Sequence, residues 1–132
     1  MIIPYSSPNL RFVDFFKALF ISRKKAENKL KSYFSFATGK KYVLITNSCR
    51  TALYIAYQAL NIKGEVITSP LTCKVAIDPI VESGNMPVYA DISKTNLNID
   101  PSRIEPLISD KTIAIQTIHL GGVICDMDSI ID

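Results

Sequence analysis

The sequence predicts an α/β fold in which a mostly parallel sheet is flanked by helices and preceded by an N-terminal helical arm. Three observations carry this. β-branched runs alternate with helix-periodic stretches from residue 42 onward. Each helix-like stretch opens on a polar capping residue and closes near glycine or serine. The charge is also split: residues 1–41 hold nine Lys or Arg against Asp14 and Glu27, whereas residues 42–132 hold six against ten Asp or Glu. The division expected is therefore a helical arm over 1–41 and an α/β part over 42–132.

Pro8 and Asn9 open an apolar-periodic stretch over 10–21. Residues 23–36 follow as a second helix, with Ala26, Leu30, Tyr33 and Phe34 at helical spacing and Gly39 as its stop. Residues 42–46 read as the first strand, and 49–60 as a helix with Ala52, Leu53, Ala56, Ala59 and Leu60 on one face, stopped by Gly64. Residues 65–68 are the second strand. Thr72 caps a helix whose apolar positions are Cys73, Ala76, Ile77, Ile80 and Val81; it ends at Ser83 and Gly84, and Pro79 should bend it. Residues 86–91 form a third strand. Asp100 and Pro101 then start a short helix to about Ile108, and 112–118 is the fourth strand. Ligands of such a sheet gather at the strand C-terminal ends, which carry Asn47, Ser69, Asp91 and His119. Four strands do not complete a sheet of this kind, so the chain reads as the first part of a larger enzyme.

At 132 residues with 48% hydrophobic and 20% charged content, the chain can bury one core, and disorder is excluded. Cys49, Cys73 and Cys125 are widely spaced, and His119 is the single histidine, so neither a disulfide framework nor a metal site is expected. A reducing, cytoplasmic setting fits. No basic leader precedes an apolar core at the start, and residues 12–21 carry Asp14 and Lys17 and are too short to span a bilayer. The basic arm suits phosphates on a nucleotide, RNA or an anionic membrane. The plainer reading, a solvated lysine-rich face, is preferred, and no nucleic-acid or membrane partner is expected.

The chemistry concentrates in 46–51, Thr-Asn-Ser-Cys-Arg-Thr. A strand stops there and a helix starts, so hydroxyls, a cation and a helix N-terminus meet within a few residues, a combination suited to a phosphate monoester. The segment matches neither the P-loop nor the dinucleotide glycine pattern. On local grounds alone Ser48 is equally an N-cap and Arg50 equally a surface charge.

The order of the pieces resembles the N-terminal portion of the DegT/DnrJ/StrS family of pyridoxal 5′-phosphate (PLP) dependent sugar aminotransferases. The pieces are "TAL" at 51–53, "EVITSPLTC" at 65–73, "SGNMPVYADIS" at 83–93, "TNLNID" at 95–100, "KTIAIQTIHLGG" at 111–122 and "CDMDSI" at 125–130. The resemblance implies an incomplete fold-type-I aminotransferase large domain. It implies a nucleotide-linked keto-sugar as substrate, an amino-acid donor such as glutamate, and a homodimer or other homo-oligomer. It also places the PLP phosphate on the turn that reads Ser-Gly-Thr in the family and Ser48, Cys49, Arg50 here, with Thr51 beside it, and puts Cys73 where the family stacks an aromatic ring on the cofactor.

Two departures follow. Losing the glycine stiffens the turn, while Arg50 adds charge; Arg50→Ala is expected to weaken PLP binding by about 1 to 3 kcal/mol if its contact is charge-assisted. A thiol covers less of a pyridine face than a ring does, and the apolar pattern around Cys73 favours a core position. His119, Asp91 and Asp126 read as hydrogen-bonded structural groups.

The family's Schiff-base lysine and the aspartate that pairs with the pyridine nitrogen come from motifs C-terminal to the matched pieces. Lys63, Lys74, Lys94 and Lys111 sit in no similar context. No catalytic residue is therefore assigned, and the chain alone is expected to be inactive. Two alternatives stand beside this reading: a non-enzymatic phosphate-binding remnant, and a membrane- or partner-docking protein that uses the basic helices and Phe12, Phe15, Phe16 and Phe20. A first strand left without neighbours, and open apolar sheet edges, lead to the expectation of poor folding or self-association for the isolated chain.

Overall fold

The computed structural model describes residues 11–61 and 63–131, so Pro8, Asn9 and the start of the first expected helix lie outside the described residues. The described chain falls into two compact units, one ending at Ile45 and the other beginning at Thr46.

The first unit holds α1 (Phe12–Phe20) and α2 (Arg23–Thr38). Asp14 closes the first turn of α1 by accepting from the Arg11 backbone N–H at 3.0 Å. Gly39, with φ of 67°, ends α2 in the left-handed conformation that glycine adopts without strain. Residues 42–46 join no sheet. The β-branched run is present, but a strand needs a neighbour for its N–H and C=O groups, and among the described residues none pairs with it.

The second unit contains α3 (Cys49–Leu60), β1 (Glu65–Thr68), α4 (Lys74–Glu82), β2 (Met86–Tyr89), β3 (Thr112–Gln116) and α5 (Met127–Ile131). The sheet order is β2-β1-β3, and both pairings are parallel. The bounds of α3 and β1 match expectation, but Asn61, at φ 52°, ends α3 in place of Gly64. Gly64 has a different task. A Cβ there would collide with the Lys111 carbonyl oxygen and come within 2.6 Å of Ile113 Cγ2, so the glycine lets β1 and β3 meet. Cys73, not Thr72, is the N-cap of α4. The helix expected over 101–108 is two 3₁₀ turns, Pro101–Arg103 and Glu105–Leu107, because Pro106 brings no N–H to continue a helix.

Side-chain alternation along β1 separates two cores. Val66 is fully buried with Tyr57 and Ile80 under α3 and α4, flanked by Leu53, Ile77, Ile113 and Ala114. Ile67 points to the other face, into Ala90, Ile99, Ile104 and Cys125, which the 3₁₀ turns and α5 cover. A register shift between Glu65 and Val66 in the β1–β3 pairing lets Ile113 and Ala114 serve the first core together while Ile115 serves the second. Burial of Val66, Ile67 and Ile80 contributes about 1.5 to 3 kcal/mol each. The expected α3 face is only partly right: Leu53 packs inward, Ala52, Ala56, Ala59 and Leu60 are exposed, and Tyr57 is the buried residue. The inward stripe follows the partners α3 has, namely α4 and the sheet.

Asn98 is fully buried beyond the strand ends. Its amide donates to the Val123 carbonyl at 2.9 Å, and its carbonyl accepts from the Leu120 N–H at 3.0 Å.

Candidate functional site

Ser48 is extended (φ −160°, ψ 158°) and caps α3, its Oγ accepting from the Thr51 N–H at 3.1 Å. Thr51 Oγ1 donates to Asn47 Oδ1 at 2.8 Å and lies 3.0 Å from Ser48 Oγ. Because the Thr51 hydroxyl proton goes to Asn47, the proton between the two hydroxyls belongs to Ser48. Both hydroxyl protons are therefore used inside the turn. The donors that remain are the backbone N–H groups of Cys49 and Arg50, which open a helix and have no intrahelical acceptor. Twelve residues of aligned peptide dipoles stand behind them. An open depression of about 380 Å³ at this end is lined by Ser48, Arg50, Thr51, Tyr54 and Glu82.

The Arg50 side chain reaches across to α4. Its guanidinium pairs with Glu82 and lies 3.7 Å from Asp78, both on α4, so it ties two helices and its charge already has carboxylate partners. Lys74 completes this group with a 2.6 Å bond to Asp78. Cys49 and Cys73 are both exposed free thiols, each at a helix start, which corrects the core position expected for Cys73. Cys125 is the buried cysteine, and its Sγ donates to the Ile118 carbonyl at 3.3 Å.

The other strand-end residues are locally bonded. Ser69 Oγ accepts from the Leu71 N–H, Asp91 from the Ile92 N–H, and His119 Nδ1 from the Cys125 N–H at 3.1 Å. His119 thus anchors a loop, and among the described residues no acid bonds to it. Asp126 accepts from the backbone and the hydroxyl of Ser129, which together hold its carboxyl below the ordinary value. Among the described residues no group of His, Cys, Asp or Glu could hold a metal ion, and no helix is long and apolar enough to cross a membrane.

Sequence reading missed one constellation. Tyr57 of α3 donates through its hydroxyl to Gln116 Oε1 at 2.7 Å, and Gln116 Nε2 donates to the Ala76 carbonyl of α4 at 3.1 Å. The Gln116 carbonyl also accepts from Thr68 Oγ1 at 3.1 Å. The polar interruption of an apolar strand at Gln116 was the available signal.

An exposed helix start with two free N–H groups and neighbouring hydroxyls fits the phosphate of a phosphorylated cofactor. The DegT/DnrJ/EryC1/StrS aminotransferase family matches over residues 11–132. The spore coat polysaccharide biosynthesis protein SpsC of Bacillus subtilis is 34% identical over 98% of this chain and 35% of its own length. The dTDP-4-amino-4,6-dideoxy-D-glucose transaminase of Shigella dysenteriae is 36% identical over 83% of this chain and 29% of its own. Among solved structures, NtdA of Bacillus subtilis with bound cofactor PMP superposes at a TM-score of 0.74, with 31% identity over 78% of this chain and 24% of that one. The chain spans about a quarter to a third of the length of the curated relatives it matches.

Proposed function

We propose, from the premise that this chain belongs to the DegT/DnrJ/EryC1/StrS aminotransferase family, that it supplies the phosphate-holding part of a PLP site. The enzyme so formed moves an amino group from an amino acid, glutamate, to a nucleotide-linked keto-sugar. The observation that carries the reading is the start of α3, where the Cys49 and Arg50 N–H groups stand without an intrahelical acceptor beside a capped turn. When bound, the cofactor supplies the electron sink for the transfer. The chain's own residues would bind and orient it: the Cys49 and Arg50 N–H groups would hold phosphate oxygens, Ser48 and Thr51 keep the turn in shape, and Cys73 would lie beside the ring. No lysine of the α/β part is assigned as the covalent anchor, so this chain alone is inactive. A second copy of the chain is the macromolecular partner in this reading, supported by the exposed phenylalanines of α1.

The test separates backbone from side chain. Cys49→Pro removes one N–H at the first helical position, where proline is tolerated and where Ser48 already has the extended conformation that a following proline requires. In titrations with pyridoxamine phosphate, Cys49→Pro weakens binding by about 1 kcal/mol or more, and Arg50→Ala changes it by less than half of that. The reverse ranking, with Arg50→Ala the larger loss, would return the guanidinium to the phosphate and overturn the assignment.

A further inference from the structure

All five candidate cofactor residues lie on two helix starts: Ser48, Cys49, Arg50 and Thr51 on α3, and Cys73 on α4. Besides the Arg50–Glu82 pair, one side chain from the sheet bonds to both helices. Gln116, at the end of β3, receives the hydroxyl of Tyr57 from α3 and donates to the Ala76 carbonyl of α4. The direction is fixed by chemistry: a carbonyl only accepts, so the amide nitrogen must face Ala76, the amide oxygen must face Tyr57, and the phenol must donate. The Ala76 N–H in turn bonds the Cys73 carbonyl at 3.0 Å. A continuous path of hydrogen bonds therefore runs from α3 through Gln116 to the backbone of Cys73. Tyr57 is 5% exposed, so its hydroxyl has little water to turn to if Gln116 is lost.

We propose that Gln116 and Tyr57 are positioning residues that hold the phosphate turn of α3 and the Cys73 turn of α4 at one fixed separation. This rests on the assignment of those turns to one cofactor. The network touches neither phosphate nor ring and acts through backbone: α3 is anchored through Tyr57 in its body, and α4 through Ala76 in its first turn. Inorganic phosphate, which needs the α3 turn alone, is indifferent to the separation; pyridoxamine phosphate, which needs both turns, is sensitive to it.

The experiment uses this chain with Gln116→Met, which keeps length and loses both hydrogen bonds, and with the milder Tyr57→Phe. Alkylation of Cys73 by iodoacetamide, followed by mass spectrometry with Cys49 as internal reference, is the first measurement. Gln116→Met changes the Cys73-to-Cys49 rate ratio about fivefold, and Tyr57→Phe changes it in the same direction by less. Pyridoxamine phosphate affinity falls by a similar factor, whereas inorganic phosphate affinity stays within about twofold. An unchanged rate ratio in both variants overturns the proposal, as does an equal loss of affinity for the two ligands, which would mean general loosening. Absence of any pyridoxamine phosphate binding by the unsubstituted chain would count against the cofactor assignment, and the alkylation ratio would still decide the positioning role.

Discussion

The two units of this chain use the same kinds of apolar residue to opposite ends. In α1 and α2 no described residue is buried, and Phe20 is 87% exposed; in the α/β unit Val66, Ile67 and Ile80 are 0% exposed. Helix α2 is held by local devices: the Gly39 cap and a Glu27–Lys31 pair at 2.7 Å, in which the ammonium draws the carboxyl below its ordinary value. The α/β unit is held by non-local packing across a three-stranded sheet. Hydrophobic content therefore does not measure stability; what counts is apolar area with something to lie against.

The comparison can be broken most sharply by deleting one side chain from each unit. Ile67→Ala leaves a hole in a closed core and costs about 2 to 5 kcal/mol, whereas Phe20→Ala changes stability by less than about 0.5 kcal/mol. Urea midpoints measure both, and similar losses would show that the arm carries a hidden core. Next comes the meeting of β1 and β3. Gly64→Ala drives a methyl group into the Lys111 backbone and lowers stability by about 1 to 3 kcal/mol; Gly39→Ala, with nothing within 4 Å, pays only for its positive φ, about 1 kcal/mol. Equal values would mean that the strand pair yields freely.

The smallest effect concerns pH. Burial raises the Tyr57 phenol above its ordinary value of 10.0. The folded state then holds its proton more tightly than the unfolded chain does. That contribution is complete below the unfolded value and is lost as pH rises through the folded one. Tyr57→Phe should flatten the alkaline fall of the melting temperature above about pH 10. Parallel profiles for the two proteins would remove Tyr57 from the ledger.

Punctuated segments were legible in the sequence. Ser48 announced α3, and Asp100 with Pro101 announced where a helical turn starts though not that it is 3₁₀, since each cap acts within three residues and is visible locally. The family was legible for a related reason: several short pieces stand in one order along the chain, and each is read locally. What depended on distant partners was hidden. Residues 42–46 have strand composition without a neighbour, and the inward position of Tyr57 depends on α4 and on Gln116, 59 residues away. Arg50 looked free for a phosphate because Glu82 lies 32 residues downstream. Cys73 read as apolar periodicity, but it stands at the cap, where a helix has not yet acquired an inner face.

Asn98 shows how strictly one position can be written. Its side chain serves one donor and one acceptor on a loop 22 to 25 residues away, inside a space closed to water. Aspartate has the size and lacks the donor; leucine has the bulk and lacks both; glutamine has both and is a methylene too long. Of the twenty letters available, the chemistry of that enclosure leaves one.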